Sequence, residues 1–377
     1  SKIFQKIMNI FLIFSFIILF CYLFLIFGYS IGWKKLKTNS KISCFPSISI
    51  IIPIRNEESN INNLLKDLDA QTYPKEKLEI IFVNDHSNDN CINELLNHKM
   101  DNLRILNLSK NEFGKKKAIS FGVHNASGDI ILATDADCSL LPNWAESMAS
   151  YFTSDDVKLV SGPVVFKRQP GFLHAFQELD FISLISSGAG AIGSKNPIFC
   201  NGANMAYRRQ VFLDINNFFF DHRASGDDVF LLHSIKKNYS NSIVFAKNYN
   251  AIVTTSGTNE MREFLNQRMR WTAKSTSYDD LTTVYVSIIV LFTSICFTSL
   301  FVIGLLNFYY LYWFFLFYIF KFIVDSSLLL PALKFFKRKY LIKWIFIFQL
   351  IYSFYIILIV ILSFTRKFEW KGRMHKQ

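Results

Sequence analysis

Residues 128–138 read GDIILATDADC, an apolar run that ends by holding Asp135 and Asp137 two positions apart. In an extended chain, residues i and i+2 project to one face, so the two carboxylates are expected side by side at the end of a strand. Like charges that close repel, and the arrangement calls for a compensating cation, a proton or abundant water. Two uses fit the pair. It can help hold a divalent metal, or one aspartate can cap the helix suggested by LPNWAESMASYF while the other is solvated in the turn.

The elements that would position this pair are legible in the pattern around it. ISIIIPI (48–54), LEIIFVND (78–85), LRILNLS (103–109) and GDIILATDAD (128–137) read as strands. NEESNINNLLKDLDAQ, NDNCINELLNHK and KKKAISFGVHNAS read as the helices between them. Strands alternating with helices predict a parallel α/β sheet with both faces covered. In such sheets the ligand crevice lies beyond the carboxyl ends of the strands. Those ends deliver Pro53, Arg55, Asn56 and Glu57 from the first strand, Asn84, Asp85 and Ser87 from the second, and Asp135 and Asp137 from the fourth. Asn56 and Ser87 individually read best as cap or turn residues. Acidic groups from three strands on one rim point to a site for a nucleotide and a divalent cation.

The rest of the chain has a different character. Of 377 residues, 51% are hydrophobic, which is high for a wholly soluble protein. Ile10 to Trp33, Val284 to Phe320 and Trp344 to Phe364 are each long enough to cross about 30 Å of hydrocarbon, the middle one twice with a turn near Gly304 to Asn307. The first lacks the short apolar core and small-residue cleavage site of a signal peptide, so a retained anchor over 1–33 is expected. Lys34, Lys35, Lys37 and Lys41 follow it and place the next region in the cytoplasm. The expected organisation is therefore an anchor (1–33), a globular domain (45–280), an apolar region of about three segments (283–364) and a basic tail (365–377).

Cys21, Cys44, Cys91, Cys138, Cys200 and Cys296 form no CxxC pair, which fits a reducing compartment without structural zinc. His174, His222 and His233 have no metal-ligand spacing with one another or with a cysteine. A net charge of +12 raises the question of nucleic acid, but many basic residues flank apolar spans and no basic helix interleaved with aromatics stands out. Attraction to anionic lipid headgroups accounts for the charge, and no nucleic-acid partner is expected. A channel or transporter is disfavoured because the spans hold few ionisable groups apart from Lys321 and Asp325, which are placed to pair across one helical turn.

The order PIRNEE, FVNDHSND, GKKKAIS, DAD, GDD and QRMRW resembles the inverting, membrane-bound family 2 glycosyltransferases, which include ceramide glucosyltransferases and the synthases of cellulose, hyaluronan and poly-N-acetylglucosamine. The likeness covers about residues 45–275. It implies a GT-A catalytic domain, Rossmann-like with a mostly parallel sheet, plus transmembrane α-helices. It also implies a divalent cation, Mg2+ or Mn2+, that neutralises the diphosphate leaving group. By resemblance Asp137 would ligate the metal, and Asp135 would reach the ribose or share the metal. Asp85 and Glu57 would contact base and ribose, Pro53 and Arg55 would shape the pocket, and Lys115 would lie near the nucleotide. Asn84 departs from the family pattern by replacing the first of two adjacent aspartates, which leaves open which residue reads the base.

The same resemblance makes Asp228 the base for the acceptor hydroxyl, with Asp227 beside it; a helix N-cap is the plainer reading of the pair alone. Gln267, Arg270 and Trp271 share one side of an interfacial helix near 260–275, where Arg270 would meet the diphosphate and Trp271 the acceptor. Gly202 and Asn204 would border donor sugar and acceptor. The implied partners are a nucleotide-sugar donor, uridine-linked, a lipid or glycan acceptor and membrane lipids. The implied place is the inner cell membrane with the catalytic domain cytoplasmic. A processive polysaccharide synthase and a catalytically silent nucleotide-sugar-binding protein are the competing readings.

Overall fold

The computed structural model describes residues 2–38, 42, 44–215, 227–275, 279–365, 368–370 and 373–375. Along the chain run α1 (Lys2–Lys35), β1 (Ile48–Ile54), α2 (Glu58–Asp69), β2 (Leu78–Asn84), α3 (Cys91–Asn97), β3 (Leu103–Asn107), α4 (Lys115–Asn125) and β4 (Ile130–Thr134). Next come α5 (Trp144–Ala149), β5 (Leu159–Ser161), β6 (Val164–Phe166), α6 (Phe172–Gly193), β7 (Asn204–Arg208), α7 (Arg209–Asp214), α8 (Asp227–Asn238), β8 (Ile243–Phe245) and β9 (Val253–Thr255). The last elements are α9 (Met261–Ser275), α10 (Leu281–Leu306), α11 (Phe308–Phe335), α12 (Ile342–Thr365), and the short strands β10 (Phe368–Trp370) and β11 (Arg373–His375). They form two compact units: Lys35–Arg168 with Ala191–Gly257, and Ser1–Lys34 with Gln169–Gly190 and Thr258–Gln377.

The first of these units is built on a seven-stranded sheet in the order β3-β2-β1-β4-β7-β5-β8. β1, β2, β3 and β4 are parallel, β7 is antiparallel to both β4 and β5, and β8 is parallel to β5. β1 is buried along almost its whole length, as a central parallel strand with both faces covered must be. α2 buries Ile61, Leu64, Leu65 and Leu68, an i, i+3, i+4, i+7 stripe, and α4 packs on β1, its Gly122 set against Ile51. β6 and β9 form a separate parallel pair.

The fourth strand is shorter than its sequence suggests. It stops at Thr134, and Asp135 and Asp137 lie in the turn beyond, closed by Cys138 N–H donating to Asp135 O at 3.2 Å. The two aspartates are therefore brought together by a turn rather than by strand alternation. β3 likewise ends at Asn107, not Ser109.

The other unit is mainly helical, with β10 and β11 as an antiparallel pair. Among the described residues four helices are long and apolar enough to cross a membrane: Gln5–Lys35, Leu281–Leu306, Phe308–Phe335 and Lys339–Thr365. The break within the middle apolar stretch falls at Asn307, whose side chain caps α11 by accepting from Tyr309 N–H at 3.1 Å. α11 then runs on to Phe335, well past Phe320, because Lys321 does not interrupt it. Lys321 pairs with Asp325 at 2.5 Å, and Tyr22 donates to the other carboxylate oxygen at 2.7 Å, so the charged pair is buried inside the unit.

Candidate functional site

β1 and β2 are in register, with Ile54 opposite Asn84, so the turns after them leave the sheet side by side. Asn56 and His86 take up the left-handed backbone there, with φ of 55° and 57°. The two turns are laced together: Asn56 N–H donates to Ser87 Oγ at 3.1 Å, and Asn56 Oδ1 accepts from Asn88 N–H at 2.9 Å. Asn84 is spent on structure, since its amide donates to Asn107 and its oxygen accepts from Ser87 N–H. Pro53 lies within β1 opposite Val83.

The lacing brings Arg55 to Asp85. Its guanidinium lies 3.8 Å from the carboxylate and donates to the Asp85 carbonyl at 3.3 Å. Asp85 is buried, and its Oδ2 accepts from Gly114 N–H at 3.0 Å. Gly114 has a φ of +97°, which favours glycine, and it starts α4 so that the next residue, Lys115, enters the same rim. Lys115 Nζ meets Asp135 Oδ1 at 2.5 Å.

Asp137 opens to solvent, yet protein atoms crowd the hollow around it. That crowding, then repulsion from Asp135 and Glu57, pushes its carboxyl up, while the Thr255 hydroxyl and Lys115 oppose the shift. Thr255 Oγ1 donates to Asp137 Oδ2 at 3.1 Å. Glu57 caps α2 and accepts from Asn60 Nδ2 at 2.8 Å. Three carboxylates thus share a neighbourhood in which Lys115 meets Asp135 and the charges of Asp135 and Glu57 still bear on Asp137.

The antiparallel β4–β7 pairing sets Asn204, the first residue of β7, beside Thr134. Thr134 Oγ1 donates to Ala203 O at 2.9 Å, and the neighbouring Gly202 N–H donates to Asp228 Oδ2 at 3.0 Å. Asp228, in the first turn of α8, also accepts at Oδ1 from Val229 N–H at 2.9 Å. Its carboxylate is therefore aimed by two main-chain donors at the end of the sheet that carries Asp135. Asp227 begins α8, and its side chain lies outside the described residues, as does His222.

Asn204 differs from its expected place beside the sugar. It is fully buried: Trp144 Nε1 donates to its oxygen at 3.0 Å, and its Nδ2 donates to Pro163 O and Ala251 O, each at 2.8 Å. Gly162 makes room for it, since a Cβ there would fall 2.3 Å from the amide. Asn204 ties β7 to its surroundings and has no polar atom left for a ligand.

Gln267, Arg270 and Trp271 are on α9, in the helical unit. There Arg268 lies over the Trp271 ring at 4.2 Å and the Phe264 ring at 5.0 Å, and pairs with Asp180 at 2.7 Å. Trp271 is also 5.9 Å from Phe181, so both neighbours are aromatic or guanidinium planes of its own unit. Gln267 Oε1 is buried without a hydrogen bond.

Residues 49–215 match the family described as glycosyl transferase family 2. The chain carries a family 2 glycosyltransferase domain. The glycosyltransferase AglE of Haloferax volcanii is 32% identical over 189 residues, covering 50% of this chain and 60% of that protein. The poly-beta-1,6-N-acetyl-D-glucosamine synthase of Staphylococcus aureus is 28% identical over 171 residues, 43% of this chain and 41% of that one. The chain thus spans 60% and 41% of the lengths of these two curated relatives, less than two thirds of either. Among solved structures, the mannosyltransferase PcManGT of Pyrobaculum calidifontis, in complex with GDP-Man and Mn2+, superposes with a TM-score of 0.60 at 16% identity, over 94% of this chain and 98% of that one. The likeness shows a shared fold, the GT-A type.

Within the glycosyltransferase domain, Asp85, Lys115, Asp135 and Asp137 fall inside the matched stretch, whereas Asp228 lies beyond it. Among the described residues no group of three or more His, Cys, Asp and Glu side chains is placed to hold a metal by itself. The acidic hollow nevertheless fits a hard divalent ion, because such ions commonly take one or two protein carboxylates and complete their shell with substrate phosphates and water. Asp137 and Asp135 are the carboxylates that would hold it. Thr255, which touches Asp137, carries no sequence signal: a threonine in VTTSGT looks like any strand end, whereas Gly114, which holds Asp85, opens the GKKKAIS motif.

Proposed function

We propose that the protein transfers a sugar, with inversion, from a nucleoside diphosphate donor to a hydroxyl of a lipid or glycan at the cytoplasmic face of a membrane. The observation that carries this reading is the convergence on one sheet end of Asp85 held by Gly114, Lys115 beside Asp135 and Asp137, and Asp228 aimed by Gly202. Asp85 and Glu57 contact the base and ribose, with Pro53 and Arg55 shaping the pocket. Lys115 offers a mobile ammonium that exchanges Asp135 for a phosphate oxygen when the donor arrives. A Mg2+ or Mn2+ ion held by Asp137 and Asp135 would neutralise charge on the departing diphosphate.

Asp228 accepts the proton of the acceptor hydroxyl as it attacks the anomeric carbon. One in-line displacement inverts that centre, as in the single-displacement route of glycoside hydrolysis. Arg270 and Trp271 retain the diphosphate and acceptor roles that the sequence resemblance gives them, and Gly202 borders the sugar through its hold on Asp228. Transfer of one or a few sugars is proposed, with processive synthesis as its competitor. The four long apolar helices suggest membrane association, and the lysines after α1 favour the cytoplasmic face for the domain.

The experiment is release of nucleoside diphosphate by the purified protein in lipid nanodiscs, across uridine- and guanosine-linked sugars with Mn2+ or Mg2+, with and without membrane lipid extract. Release that depends on lipid with one donor supports the reading and names the sugar. Nucleotide binding without release under any condition favours a silent binding protein. EDTA is expected to abolish release; undiminished turnover in chelator removes the role given to Asp135 and Asp137.

A further inference from the structure

β9 runs past the turn that carries Asp135 and Asp137 and is fastened to it at three points. Ser139 N–H donates to Thr254 O at 2.7 Å, and Thr254 N–H donates back to Ser139 O at 3.0 Å. One residue on, Thr255 Oγ1 meets Asp137 Oδ2 at 3.1 Å. An ionised carboxylate has no proton to give, so the hydroxyl is the donor.

The strand that carries this hydroxyl is itself held. It pairs in register with β6, Val164 opposite Val253 and Phe166 opposite Thr255, and Lys167 N–H donates to Thr255 O at 2.7 Å. A β-branched side chain on such a strand has little χ1 freedom. The other oxygen, Asp137 Oδ1, has the weakly donating Cys138 thiol at 3.8 Å. One oxygen of Asp137 is thus pinned from a paired strand, while among the described residues the other has no strong donor in contact.

We infer that Thr255 is a positioning residue for a divalent cation: its hydroxyl fixes Asp137 Oδ2 so that Oδ1 is presented to the ion that accompanies the donor diphosphate. This rests on the role proposed above for Asp137. Without the hydroxyl, repulsion from Asp135 and Glu57 turns the carboxylate away, and each binding event must reorder it against those charges. Outer partners of metal ligands typically change metal affinity or activity by about ten- to a hundred-fold.

The test is direct Mn2+ binding to the full-length protein in nanodiscs, read from the electron paramagnetic resonance signal of free Mn2+ with UDP or GDP present. Native protein, Thr255→Val, Thr255→Ser and Asp137→Asn are compared, with thermal unfolding in chelator as a check on folding. Valine keeps the shape and branching of a strand residue and removes only the donor. Thr255→Val is expected to weaken Mn2+ binding by about ten- to a hundred-fold, while Thr255→Ser binds as the native protein does. Native-like Mn2+ binding by Thr255→Val overturns the inference, as does an equal loss in Thr255→Ser, which would make the methyl group responsible. If Asp137→Asn binds Mn2+ like the native protein, or the native protein binds none, it is the cation site itself that fails, and this role for Thr255 fails with it.

Discussion

Asp228 and Lys115 illustrate two kinds of charged residue on one rim. Each carboxylate oxygen of Asp228 accepts from one main-chain N–H, so its asparagine analogue can keep one of the two bonds and loses the capacity to take a proton. Asp228→Asn is therefore expected to lower turnover by about a hundred- to ten-thousand-fold, the usual contribution of a general base, with donor affinity by calorimetry unchanged. Unchanged turnover would remove it as the base. Lys115 is paired with Asp135 at a partly exposed site, and such pairs contribute about 1 kcal/mol or less to stability. Lys115→Met should leave the unfolding midpoint almost unmoved and raise KM for the donor. A lowered midpoint with unchanged KM would make Lys115 a structural residue.

Among the elements, β7 joins two functions through one side chain. Its first residue, Asn204, anchors the turn after β5 and the segment before β9, and the loop leading into it carries Gly202, which aims Asp228. Replacing Asn204 with leucine takes from the Trp144 indole N–H and the Ala251 carbonyl the partner that Asn204 gives them, while Pro163 O keeps its bond from Val253 N–H. Each such orphan costs about 1–3 kcal/mol, so Asn204→Leu should lower stability by at least about 2 kcal/mol in denaturant unfolding of the purified protein. It should also disturb Asp228 although Asn204 touches no substrate. A stable variant with native turnover would contradict both expectations. β4 shows the complementary effect: its apolar run was readable, but its end was not, because turn formation after Thr134 depends on the Cys138–Asp135 hydrogen bond and on β9 alongside.

For the molecule as a whole, the helical unit makes a statement about sides. Trp33, near the end of α1, stacks edge-on against Phe335 at 5.6 Å, so both helices end together, while α10 and α11 turn at the opposite end around Asn307, where Gly304 approaches Leu311. Lys34, Lys334, Lys337 and Lys339 therefore gather at one end of the unit. In a Cys44→Ser background, Lys34→Cys and Lys339→Cys are expected to react with a membrane-impermeant maleimide from the same side, and Asn307→Cys from the other. Labelling of Lys34→Cys and Lys339→Cys from opposite sides would show that α1 and α11 do not both cross as drawn. The basic residues of 366–377 lie largely outside the described residues.

The sequence by itself determined the class of the protein, because its strongest signals are local: β-branched strands alternating with helical patterns, acidic residues just past the strands, and apolar stretches of membrane length. Those follow from periodicity and burial, which a linear chain displays. The tertiary structure decided which polar residues face a ligand and which serve the frame. Asn204 and Asn84 lie among the polar residues that drew attention, but Asn204 donates to two backbone carbonyls and Asn84 to Asn107, whereas Thr255, which no motif includes, touches Asp137. Such assignments depend on hydrogen bonds between residues from 23 to 118 positions apart, and composition or spacing along the chain carries no record of partners that distant.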